Sequence, residues 1–261
     1  MKTGEQELNN ERQHKILTLL EKKGEIVLKE LQDVFPGVSA MTLRRDLIRF
    51  EHEGLLVRTY GGAISIKKLP GGTGDEDPYD LRASENIEAK MEIARKSVPL
   101  VEKGRSIYLD AGSTIMCLAE VVPDNNYSFV TSGINIGINL IKKQKVSVIT
   151  LGGLVNRKTL SVSGPNAIAF FDNINIDLAF MSSSGFSIEN GFTISNMYEC
   201  DLKRKVIQKA KKVIMLMDSS KINKNLPVTF ATLEDVDILV TEQNVPREIE
   251  EEAQKHGVQL L

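Results

Sequence analysis

The 261-residue sequence predicts two folded parts: a small helical unit closed by a hairpin, then a larger α/β unit built on a mostly parallel sheet. Three observations predict this. Apolar residues recur at helical spacing in three segments before residue 53, and a short pair of strand-like runs then flanks two glycines. The tract KKLPGGTGDEDPYD, rich in Gly, Pro and Asp, interrupts the pattern near residues 67–80. Beyond it, near-continuous apolar runs alternate with helical segments, the mark of parallel strands covered on both faces.

The first helix lies in NERQHKILTLLEKKG, where Ile16, Leu17, Leu19 and Leu20 keep helical spacing and Gly24 is the stop. A second fits LKELQDVF (28–35), broken by Pro36 and Gly37. Ser39 is a suitable N-cap for a third helix reaching about Glu53, with Gly54 ending it. LLVRTY and AISI then flank Gly61 and Gly62, as in a hairpin with a glycine turn. Three helices and a hairpin in this order make a winged helix-turn-helix over residues 1–66. A linker is placed at 67–80, and residues 81–261 form the α/β unit. There the pattern predicts a helix over 85–102, strand SIYLD, a helix over 114–121, strand YSFVT, a helix over 134–142 and strand VSVITLGG. It continues with a strand over 177–182, a helix over 198–211 and strands VIMLMD and DILVT.

Composition narrows the function classes. Net charge is only -2, so binding to nucleic acid by bulk charge is excluded and any such contact is local. The two cysteines, Cys117 and Cys200, stand apart, which predicts neither a disulfide framework nor a zinc cluster. No metal or cofactor is expected. Eighteen uncharged apolar residues never run together, so a cytoplasmic protein without a membrane span is expected.

On a helical wheel the third helix puts Ala40, Leu43, Leu47 and Phe50 on one face. Met41, Thr42, Arg45 and Arg49 fall on the other, with Arg44 to one side. A helix entering the major groove needs this division, because apolar residues dock it on its neighbours while Arg and Thr reach base edges and phosphates. Ser39, Thr42 and Arg45 are the base-edge candidates, and Arg44 and Arg49 the phosphate candidates. In the wing, Arg58 stands close to Tyr60, Gly61 and Gly62.

ERQHKILTLL, VSAMTLRRDLIRFEHEG and LLVRTYGGA together resemble the DeoR family of bacterial transcriptional regulators. The resemblance continues through DAGST, TSG, LGG, SGPNA, SSSG with ENGFT, ECDLKRKVI and DSSK, nearly the whole chain. It implies a second domain folded like sugar-phosphate isomerases that binds a phosphorylated sugar or related metabolite.

The chemistry of these turns agrees. Gly112, Ser113 and Thr114 offer N–H groups and hydroxyls at a helix start, where the positive end of the dipole favours an anion. Thr131, Ser132 and Gly133 repeat the arrangement after the next strand, and Gly152 and Gly153 permit close backbone approach after the third. Lys203 and Lys221 are candidate phosphate partners, and Asp110 and Glu199 candidate acceptors for sugar hydroxyls.

The same residues leave a rival reading, a sugar-phosphate isomerase-like enzyme joined to a DNA-binding unit. Such chemistry needs a carboxylate or histidine beside a carbonyl. His14, His52 and His256 fall outside the motifs, whereas Asp110, Asp218 and Glu199 suit either role. The attached winged helix favours a non-enzymatic regulator, a repressor of carbohydrate uptake or catabolism genes that binds double-stranded operator DNA as a homodimer or higher homo-oligomer.

Overall fold

Leu43, Leu47 and Phe50 recur at intervals of four and three residues, which brings them to one side of a helix. There they meet Ile16, Leu20, Ile26, Leu31, Leu56 and Ala63 in the core of the first unit. A computed structural model of the protein describes residues 12–20, 23, 25–52, 56–58, 62–65 and 76–261. The chain divides into two compact units, 1–75 and 76–261.

The first unit runs α1 (12–20), β1 (Glu25–Val27), α2 (Leu28–Val34), α3 (Ala40–His52), β2 (Leu56–Arg58) and β3 (Gly62–Ser65). Pro36 and Gly37 form the turn before α3, whose start Ser39 caps by accepting from the Thr42 N–H at 3.1 Å. The hairpin has a third strand that the sequence pattern hid: β1 pairs with β3, giving the antiparallel order β1-β3-β2. This corrects the place of Gly62, which opens β3 opposite Val27 and does not lie in the turn. A Cβ there would collide with the Ile26 carbonyl oxygen, so the close approach of β1 requires glycine. Tyr60 and Gly61, and the expected helix stops Gly24 and Gly54, lie outside the described residues.

The second unit begins inside the expected linker. Glu76 is buried and α4 spans Tyr79–Ser84, so residues 76–80 belong to the α/β unit and not to a linker over 67–80. The single helix expected over 85–102 is also divided. Asn86 takes a left-handed φ of 51°, which asparagine tolerates, α5 then runs Ile87–Ser97, and Pro99 falls in a 3₁₀ turn.

The remaining elements are β4 (Ser106–Leu109), α6 (Ser113–Val121), β5 (Ser128–Thr131), α7 (Ile134–Leu140), β6 (Ser147–Thr150), β7 (Leu154–Asn156), β8 (Ser161–Ser163) and α8 (Pro165–Phe170). They continue with β9 (Ile176–Ser182), β10 (Gly185–Ser187), β11 (Gly191–Ile194), α9 (Met197–Lys209), β12 (Ala210–Leu216), β13 (Val228–Ala231), β14 (Ile238–Val240), α10 (Arg247–Lys255) and β15 (Gln259–Leu260). Seven strands make one parallel sheet in the order β15-β14-β12-β9-β4-β5-β6.

Strand residues alternate between two cores. Ile107, Leu109, Leu178 and Phe180 pack with α5, α6 and α7 on one face. Tyr108, Ala179 and Met181 pack on the other with α8, α9, α10 and a small antiparallel sheet, β10-β11-β13. From β4 the chain steps outward through β5 and β6, then returns to β9 and proceeds the opposite way. The two directions part between β4 and β9, and open parallel sheets hold their ligands outside the carboxyl ends of strands at such a point.

Candidate functional site

In the first unit the apolar face of α3 is spent on the core, and Asp46 is spent on α1. Asp46 is buried and accepts from Arg12 Nε at 2.8 Å and Gln13 Nε2 at 3.1 Å, so α3 is pinned to α1 by a charge-assisted bond as well as by packing. The opposite face is left outward. Met41 is 68% exposed, Arg44, Arg45 and Arg49 are exposed, and Thr42 is half-buried. Arg49 reaches Gln13 Oε1 at 3.5 Å. Ser39, expected near the bases, uses its hydroxyl on Thr42, whose own hydroxyl lies 2.9 Å away. Arg58 lies in β2 and Gly62 in β3 of the wing.

The second unit gathers its polar groups at the parting of β4 and β9. Asp110 follows β4 and is 2% exposed. Its Oδ2 accepts from the Ser182 N–H at 3.0 Å and the Ser182 hydroxyl at 3.2 Å, and forms a buried ion pair with Lys203 of α9. Lys203 also donates to the Ser182 carbonyl at 2.9 Å and lies over the Phe230 ring. Asp110 and Lys203 are therefore joined to each other through Oδ2, which corrects the reading of Lys203 as a cation kept for phosphate.

Next to this pair, Gly112 takes a φ of 129° and starts α6 with no side-chain cap. The first N–H groups of a helix lack partners within it, and here the buried Ser113 and Thr114 stand among them. An anion satisfies such donors.

Glu199, in the first turn of α9, accepts on Oε1 from Ser161 at 2.7 Å, Thr159 at 2.8 Å and Asn156 at 3.3 Å. Burial first, then the nearby charge of Glu76, pushes its carboxyl above the ordinary range, against the lowering effect of the Ser161 bond. Glu76 accepts from the Ser184 hydroxyl at 2.5 Å and sits 3.5 Å from Arg82.

The structure does not gather every expected residue here. The Thr131–Gly133 turn is engaged internally: Gly133 N–H donates to the Thr131 hydroxyl, Tyr108 donates to Ser132 Oγ at 2.8 Å, and the Ser132 carbonyl takes Val162 N–H. The last of these bonds ties the turn to β8, and α7, like α6, starts at a glycine with no side-chain cap. Gly152 and Gly153 line a different, largely apolar groove of about 560 Å³ formed with α7 and β6. Lys221 is half-buried in a 3₁₀ turn after β12.

Three residues were missed. Lys90 is buried, with its ammonium on the carbonyls of Arg82 and Glu85. Burial lowers its pKa first, the Asp218 charge opposes this, and Lys221 adds to the lowering. A signal was present, because Lys90 shares the stripe of Ile93, Ala94 and Ser97 on α5. Ser182 lies in the SSSG piece, though its partner Asp110 is about seventy residues away, and Glu76, whose partner Ser184 is about a hundred residues away, gave no signal.

Residues 12–69 match the description "DeoR-like helix-turn-helix domain", and residues 85–243 match "DeoR C terminal sensor domain". The chain is 33% identical over 249 residues to the HTH-type transcriptional regulator GolR of Listeria innocua, covering 95% of this chain and 96% of that one. It is 32% identical to the HTH-type transcriptional regulator GlpR of Haloferax volcanii, covering 96% of each. It is also 26% identical to a putative aga operon transcriptional repressor of Escherichia coli O157:H7, covering 97% and 93%. Among the described residues, no helix is long and apolar enough to cross a membrane.

Proposed function

Because this chain belongs to the DeoR family of transcriptional regulators, and so is a DNA-binding protein with a small-molecule sensor and not an enzyme, we propose that it represses genes for the uptake or catabolism of a sugar or sugar derivative. In this reading a phosphorylated sugar or related metabolite controls its hold on operator DNA.

The observation that carries the reading is the uncapped start of α6 at the parting of β4 and β9, where Ser113 and Thr114 are buried. Phosphate takes the N–H groups and hydroxyls there, with Lys90 and Lys221 supplying positive charge from α5 and the turn after β12. Sugar hydroxyls meet Glu199 and its neighbours. The effector changes DNA affinity by binding the DNA-competent and DNA-incompetent arrangements unequally, a coupling of about 1–3 kcal/mol. Glu76, bonded to Ser184 beyond the end of β9, ties the start of the second unit to the pocket rim. The segment before it passes the change on.

Two copies reading paired half-sites supply the operator specificity that one small domain lacks. The exposed Ile138, Ile141, Ile149, Leu154 and Val155, around the edge strand β6, support self-association.

A thermal-shift screen of sugar phosphates tests the sensor. Compounds that raise the melting temperature of the wild type should lose that effect in a Ser113→Ala/Thr114→Ala variant. Stabilisation that persists in the variant places the phosphate elsewhere.

A further inference from the structure

Charged groups lie at two ends about the Asp110–Lys203 pair. At one end α6 packs on α5, which carries Lys90, and the charges of Asp218 and Lys221 bear on that ammonium. Asp218 is 1% exposed; its Oδ1 takes Ser220 and Asn86, while its Oδ2 is buried with no partner, an acceptor that points to a donor from a ligand. Asp110 in the middle is neutralised by Lys203.

At the other end stand two carboxylates, Glu199 and Glu76, close enough for the charge of one to bear on the other. The groups packed round Glu199 are Asn156, Thr159 and Ser161, which are neutral donors, and Lys203, whose charge is committed to Asp110. Glu76 has Arg82 and Ser184. Arg82 meets Glu76 and Lys203 meets Asp110, so the groups bonded to Glu199 among the described residues are neutral donors. A second phosphate or a carboxylate arriving here meets like charge in a place shielded from water, whereas a hydroxyl or ammonium finds acceptors.

We propose that Glu76 and Glu199 form an acidic far end of the effector site and restrict it to monophosphates whose other end carries hydroxyls or an amino group, excluding bisphosphates and phosphorylated sugar acids. This rests on the phosphate-sensing reading above. Glu76 is thereby a specificity residue supplied by the first stretch of the second unit.

Calorimetric titration of the full chain at one pH and ionic strength tests it, using inorganic phosphate and matched compounds. The sets are glucose 6-phosphate and glucosamine 6-phosphate against 6-phosphogluconate; fructose 1-phosphate against fructose 1,6-bisphosphate; and glycerol 3-phosphate against 3-phosphoglycerate. In sets that bind, the member whose far end carries hydroxyls or an amino group should bind at least tenfold more tightly than the member with an anionic group at both ends. Glu76→Gln and, separately, Glu199→Gln should narrow that gap. Equal affinities within the sets, a preference for the members anionic at both ends, or a gap unmoved in both variants overturns the assignment. Failure of every compound, inorganic phosphate included, overturns the phosphate-sensing reading on which it rests.

Discussion

Replacing Lys203 with methionine is expected to destabilise the second unit by about 3–5 kcal/mol, because it strands Asp110 as an uncompensated charge in the interior. The two side chains are only 6% and 3% exposed, so water does not take over the work of the ammonium. Methionine keeps most of the aliphatic contact with Phe230, which isolates the charge from the packing. For a unit of this size each kcal/mol moves the melting temperature by roughly 2–4 °C. The pairing itself is read from a cycle with Asp110→Asn: the double variant should recover most of the loss. Strict additivity of the two single effects shows that the residues do not act on each other. The same pair explains why Asp110, which looks like a free acid in DAGST, is a fastening between the ends of β4 and β9.

Replacing Arg45 with alanine is expected to cost about 1–3 kcal/mol of specific DNA affinity and to relax the preference at one position of the operator. Arg45 is exposed on the face of α3 that carries Met41, while Leu43, Leu47 and Asp46 hold the helix from behind. Folding should be unaffected, since the substitution removes no buried contact. The measurement is fluorescence anisotropy on DNA from the region upstream of the protein's own gene, at several salt concentrations. Unchanged affinity there removes Arg45 from the interface, and a uniform loss on specific and non-specific DNA makes it a phosphate contact.

The division of labour on α3 was legible because a helix sorts residues by position: the spacing of Leu43, Leu47 and Phe50 declares the buried side and leaves Met41 and Arg45 on the other. The parallel sheet was legible for a similar reason, its strands being continuous apolar runs. What stayed hidden depended on partners far along the chain or on residues whose type suggests water. β1 is three residues, Glu25–Val27, and exists because β3 offers it an edge. Lys90 sits among charged residues in IEAKMEIARKS, where charge ordinarily means a solvated face, yet α5 buries it. Glu76 lies in GDEDP, a composition that reads as linker, and only Ser184 and Arg82 reveal that it is packed. The donors gathered on Glu199 come from residues 38 to 43 positions away, held there by the β7–β8 hairpin. The DAGST turn read correctly as a helix start, but which of its groups stand open followed only from the Lys203–Asp110 pair.

The central claim is that one molecule joins phosphate sensing to DNA binding. It is tested most directly by titrating upstream DNA with the full-length protein, with and without a saturating sugar phosphate that raises its melting temperature. A coupling of about 1–3 kcal/mol predicts a 5- to 150-fold change in DNA dissociation constant, abolished in the Ser113→Ala/Thr114→Ala variant, whose DNA affinity without the sugar phosphate should match the wild type. An identical DNA dissociation constant with and without a bound sugar phosphate contradicts the account.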